Sequence, residues 1–217
     1  MNRLNNKMFK IVLLVFSCLL ASCLHAQKPF SGTLEYTASI MRPDTNVVLK
    51  SWKVYLYTND TVVRVETETD QLGVQVYIRN MNLNKAYLLL KLDTMRFAIQ
   101  TDLSKTNPEA KKSYAIKKGK GKKKVVGLKS QKYVVTEEND DTYSCFFTKK
   151  LSGKYLQVYS EIPYLATDYF IPSQNGLIHY ELTKIERKQV DRNLFGIPSD
   201  FEKISFEEFI KRFYGEK

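Results

Sequence analysis

The chain is short of the residues on which most metal, redox and nucleophilic chemistry depends. Its 217 residues include two histidines, three cysteines and one tryptophan. Three cysteines cannot build a dense disulfide scaffold. With His25 beside an N-terminal apolar run, His179 is left as the one histidine of the folded portion, too few for a His-rich metal site. His-Glu-x-x-His, paired-Cys, Gly-x-Ser-x-Gly and P-loop patterns are all absent. Nine glycines and six prolines exclude a collagenous or low-complexity chain. The longest apolar stretch is shorter than the roughly 20 residues a membrane-spanning helix needs. These absences point away from catalysis: no catalytic, cofactor-binding or metal-binding residue is assigned. A hydrolase is the weakest of the functional readings.

What is present begins with an address. Arg3, Lys7 and Lys10 precede the apolar run Ile11 to Leu20, with no acid among them. A basic segment followed by a short apolar one is a secretory signal peptide. Leu20-Ala21-Ser22-Cys23 reads as a lipobox, with cleavage after residue 22 and a lipid on Cys23. Leu24-His25-Ala26 before Gln27 reads as an ordinary cleavage site, so that the signal would span 1–26. The remainder, 27–217, has the length of one domain. The expected place is the periplasm, either free or as a membrane-anchored lipoprotein facing the periplasm or outer membrane. In such an oxidising compartment Cys145 has no intramolecular partner, and its strand-like setting suggests a buried thiol.

Charge is concentrated in one block. The formal net charge is +11. Between Lys105 and Lys132 there are eleven lysines against one acid, Glu109. The centre of the block holds Lys117, Lys118, Lys120, Lys122, Lys123 and Lys124, interrupted by Gly119 and Gly121. Three readings compete. The first is a solvated, flexible loop between strands. The second is an electrostatic patch for an anionic envelope surface. The third, nucleic acid, is disfavoured by export and by the lack of interleaved aromatics.

The body alternates with period two. Leu34, Tyr36, Ala38 and Ile40 alternate with polar residues; so do Trp52, Val54 and Leu56, then Val63 and Val65, and Val74, Val76 and Ile78. Tyr87 to Leu90 and the Met95–Ile99 stretch follow the turn markers Asn82-Leu-Asn84 and Asp93. This spacing predicts an antiparallel meander with no room for crossover helices. A short helix is expected from Asn107-Pro108-Glu109, with strands over 124–126, 132–136, 142–148 and 177–185. Ser205-Phe-Glu-Glu208 is a capping box that opens a C-terminal amphipathic helix. Phe206, Phe209, Ile210 and Phe213 fall on one stripe of it, expected to pack on the sheet. The fold class is therefore mainly β with minor α.

Several short motifs add a resemblance. They are Val125-Val-Gly-Leu-Lys-Ser-Gln-Lys-Tyr133, Phe146-Phe-Thr-Lys-Lys150, Gly176-Leu-Ile178 and Phe195-Gly-Ile-Pro-Ser-Asp-Phe201. Together they resemble the GLPGLI family and its uncharacterised exported envelope neighbours. The resemblance implies a fold similar to the LolA-like lipoprotein carriers: a strongly curved antiparallel sheet, or half-barrel, with helices across its opening. It brings no catalytic residues.

The segment from Tyr155 to Pro172 holds Tyr155, Tyr159, Tyr164, Tyr169 and Phe170, with Pro163 and Pro172 interrupting regular structure. On a curved sheet these rings are candidates to border a ligand cavity. The alternative is an aromatic loop covering the core. His179 and Glu181 fall on one strand face, where they are expected as a polar pair at the sheet surface. The sequence thus suggests a non-enzymatic binding module for a lipid, acyl chain or lipidated partner, without a cofactor. A structural or protein-interaction domain with a filled core is the rival reading.

Overall fold

The computed structural model describes residues 27–42, 47–69, 73–102, 114–173 and 176–215. The signal segment with Cys23, the turn at Pro43-Asp44 and the short helix expected from Asn107 lie outside the described residues. The described residues hold twelve strands: β1 (Ser31–Met41), β2 (Val48–Asn59), β3 (Val62–Thr69), β4 (Gly73–Asn80), β5 (Lys85–Leu92) and β6 (Met95–Asp102) form the first half. The second half is β7 (Tyr114–Val125), β8 (Leu128–Glu137), β9 (Thr142–Ser152), β10 (Tyr164–Ser173) and β11 (Gly176–Arg187), followed by β12 (Glu202–Ser205) and the helix α1 (Phe206–Tyr214).

All twelve strands join one sheet in the order β12-β6-β5-β4-β3-β2-β1-β11-β10-β9-β8-β7. It is two antiparallel meanders welded by the β1–β11 pairing, which runs from Gly32 opposite Arg187 to Met41 opposite Leu177. Only β12, lying parallel to β6, departs from antiparallel pairing among the described residues. The sheet curls but stays open, with β7 at one edge and β12 at the other, so it is not a closed barrel. Hairpin turns sit where short polar side chains accept left-handed backbone: Asp60, Asn84, Asp93 and Asp140 all have positive φ.

The period-two pattern is realised in the strand interiors, while Val74 and Met95 at strand ends are 51% and 44% exposed. Leu34, Tyr36 and Ala38 are buried, alternating with partly exposed neighbours. They join Phe147, Leu151, Leu165 and Leu182 in the main core. The first meander is covered on both faces. Val76, Ile78, Leu89 and Ala98 on one face meet Ile197 and Phe201. Leu90, Phe97 and Ile99 on the other meet Ile204 and Phe209. The C-terminal helix forms as the capping box requires, with Ser205 Oγ accepting from Glu208 N–H at 3.0 Å. Phe209 and Phe213 set their rings edge-on to Phe97 at centroid distances of 6.0 and 5.4 Å. Phe206, expected on the packed stripe, is 53% exposed.

Two expectations are corrected. The lysine block is not a loop: residues 114–125 form edge strand β7, paired to β8 from Tyr114 opposite Glu137 to Val125 opposite Leu128. The Gly119–Gly121 stretch is accommodated as a register shift between Lys118 and Lys122. There the Gln131 amide donates to the Gly119 and Gly121 carbonyls at 2.8 and 3.0 Å, standing in for missing ladder bonds. A lysine-rich, bulged strand is tolerated at an edge because one of its sides faces water, and it discourages sheet-to-sheet pairing. The second correction concerns the aromatic segment. Residues 164–173 are strand β10; Pro163 precedes it and Pro172 is its penultimate residue, so neither proline breaks the ladder.

Candidate ligand groove

Register dictates which side chains meet. Phe146 lies opposite Asp168, Asp168 opposite Glu181, and Phe170 opposite His179. These residues share one face of β9–β11. Tyr169 and Tyr180 are paired on the other face, stacked at 4.8 Å, with Tyr36 edge-on to Tyr169. The β9–β10 ladder is irregular here, its register shifting between Ala166 and Asp168. Thr167 Oγ1 sits 2.9 Å from Ser130 Oγ across the intervening β9, and both side chains are fully buried. β8 and β10 thus approach each other across β9, and Lys123, opposite Ser130, reaches Asp168 at the groove.

The result is an open groove of about 900 Å³ outside the main core. Its floor is a stack of rings: Tyr143 lies 5.8 Å from Phe170, which lies 4.5 Å from His179 with planes 14° apart. At one end Asp168, 5% exposed, is held by two partners. His179 Nε2 is 2.9 Å from its Oδ1, and Lys123 Nζ makes an ion pair with Oδ2. Burial on its own would raise the Asp168 carboxyl, but the hydrogen bonds from His179 and Lys123 outweigh it and hold the group below its usual range. The Lys123 ammonium also lies 5.0 Å over the Phe146 ring. The far rim is the acidic β8–β9 turn, where burial, then Asp141 and Glu138, raise the Glu137 carboxyl.

The other candidate residues occupy different places. Tyr155, 2% exposed, donates its hydroxyl to Asp60 and accepts from Phe30 N–H at 3.0 Å. Tyr159 is buried against Tyr114 and Phe147 and donates to the Phe170 carbonyl. Tyr169 fills the main core. Tyr164 is half-buried beneath the Lys149 ammonium, 5.4 Å away. Of the five rings proposed to border a cavity, Phe170 lines the groove. His179 pairs with Asp168 rather than with Glu181, which lies 3.7 Å from Lys123 instead. Asp168 is not singled out in the sequence, because adjacent aromatics on both faces of β10 hide its alternation.

Chemically the groove offers an aromatic floor with charged ends. Among the described residues no hydroxyl or thiol is hydrogen-bonded to His179, and no cluster of three or more His, Cys, Asp or Glu is placed to hold a metal. Cys145 is buried on the opposite face, where desolvation pushes its thiol up to about 11. No helix of the described residues is long and apolar enough to cross a membrane.

The chain matches no protein-family model and no curated protein sequence. Its fold does have counterparts among solved structures. PNGF-II superposes with a TM-score of 0.54 at 14% identity, covering 85% of this chain and 33% of that one. The chain thus spans about a third of PNGF-II. An uncharacterised conserved protein from Thermus thermophilus gives 0.50 at 9% identity, covering 83% of this chain and 94% of that one. A LolA superfamily protein from Nitrosomonas europaea gives 0.35 at 9% identity over 78% of this chain and 91% of that one, too loose to carry an argument. The likenesses to PNGF-II and the Thermus protein show a shared fold and nothing about activity.

Proposed function

We propose that this chain is a non-enzymatic, exported cell-envelope protein that binds a lipid, acyl chain or lipidated partner in the groove floored by Phe146, Phe170 and Tyr143. Its place is the periplasm, reached through the N-terminal signal and kept either free or by a lipid on Cys23. One observation carries the reading: a sizeable groove with an aromatic floor remains open outside a core that is otherwise filled. An apolar chain would lie along the rings, with its polar end at Asp168, His179 and Lys123. The GLPGLI resemblance belongs to this reading, since it too implies an envelope protein without catalytic residues.

The rival, an interaction domain without a small ligand, draws on the packing of Tyr36, Tyr155, Tyr159 and Tyr169, which leaves the main core full. Native mass spectrometry of the protein taken from its own envelope separates the two. A co-purifying lipid, together with binding of a fluorescent fatty acid that Phe170→Arg abolishes, is the expected outcome. No lipid adduct and no probe binding would leave the interaction domain standing.

A further inference from the structure

A second surface lies along the β7 edge of the sheet. Lys129 and Lys132 on β8 and Lys149 and Lys150 on β9 join the lysines of β7 in one basic sheet edge. The only acid in these three strands is Glu137, at the last position of β8. Lys117, Lys118, Lys120, Lys122 and Lys124 on the edge strand are all exposed. Among the described residues, Lys123 is the member of this set that makes ion pairs, with Asp168 and Glu181. Lys124 lies directly across from Lys129, so like charges oppose one another in the ladder. Such an arrangement is self-repulsive and is relieved by an anionic partner.

The partner's shape follows from the strand. The lysines from 117 to 124 lie along roughly 25 Å of extended strand. The bulge between Lys118 and Lys122 spoils the edge as a template for another strand. The nearby rings are engaged, Tyr133 edge-on to Phe147 and Tyr164 beneath Lys149, so nothing is offered for base stacking. We infer that the β7 edge docks on an anionic bilayer surface, its lysines meeting phospholipid headgroup phosphates. The groove plays no part in this contact.

The test is sedimentation with vesicles, using the chain bearing Cys23→Ser so that no acyl anchor contributes. Binding is expected to vesicles containing phosphatidylglycerol and not to pure phosphatidylcholine, and to vanish in high salt. Replacing the five exposed lysines 117, 118, 120, 122 and 124 by glutamine should lower the affinity on the order of a thousandfold, at about fivefold per lysine. Replacing the same five by arginine should preserve it. Equal binding to neutral vesicles, unaltered binding by the glutamine variant, or tighter binding to duplex DNA than to anionic vesicles would overturn the inference.

Discussion

His179 on β11 and Asp168 on β10 meet at 2.9 Å on the groove side of the sheet, and they do so because Phe170, not Asp168, is the residue directly opposite His179. The carboxylate is therefore reached diagonally, which leaves its second oxygen for Lys123 from the sheet edge. One buried group thus ties the edge strand β7 to the β10–β11 hairpin.

Removing that charge should cost stability. Asp168→Asn is expected to lose about 2 kcal/mol, the scale of hydrogen bonds to a charged group. The pH dependence follows from the depressed carboxyl. A lowered folded-state value stabilises the protein above the ordinary carboxylate range, and that contribution disappears as pH falls through the lowered value. Urea midpoints of wild type and Asp168→Asn should differ at neutral pH and converge in acid. A difference that grows in acid would contradict the assignment.

Cys145 should behave as an inert thiol. With its value near 11 and no exposure, it presents almost no thiolate at mildly alkaline pH. In a chain beginning at Gln27, a disulfide-exchange reagent should label it only as fast as the protein unfolds. Labelling within the mixing time in native buffer would refute the burial.

The β7–β8 turn can be improved. Val126 and Gly127 both have positive φ, at 44° and 77°, the pattern of a two-residue hairpin that favours Asn-Gly. A β-branched residue there is strained. Val126→Asn should raise stability by about 1 kcal/mol, the lower end of the strain such a residue stores. The thermal midpoint checks this, and a fall in it would show the valine contact to matter more than the backbone.

The terminal helix separates two phenylalanines on one stripe. Phe209→Ala removes a ring from Phe97 and should cost about 1.5 kcal/mol, whereas exposed Phe206→Ala should change stability by under about 0.5 kcal/mol. Equal losses at the two positions would mean that the helix packs differently.

Half-buried strands were readable because alternation is a local property. Leu34 to Ile40 and Trp52 to Leu56 fell where their side chains dictate. The lysine strand was not readable, since its ordering comes from β8 and from Gln131 rather than from its own propensities. The β10 strand was hidden by aromatics on both of its faces, which erased the period-two signal. Of the groove, Phe170 and His179 could be singled out in sequence. That Asp168 and Lys123 join them depends on register and on the irregular ladder at Thr167, neither of which a linear pattern contains.

The weld between the two meanders has a consequence for how the molecule is made. Residue 32 finds its partner at 187, and residue 41 at 177. At ribosomal speed the first strand emerges on the order of ten seconds or more ahead of the strand that completes it. Throughout that interval one flank of β1 is bare, with its amides and carbonyls unmet. The unpaired flank of β1 is thus the stretch most open to the wrong neighbour until residues 177–187 arrive.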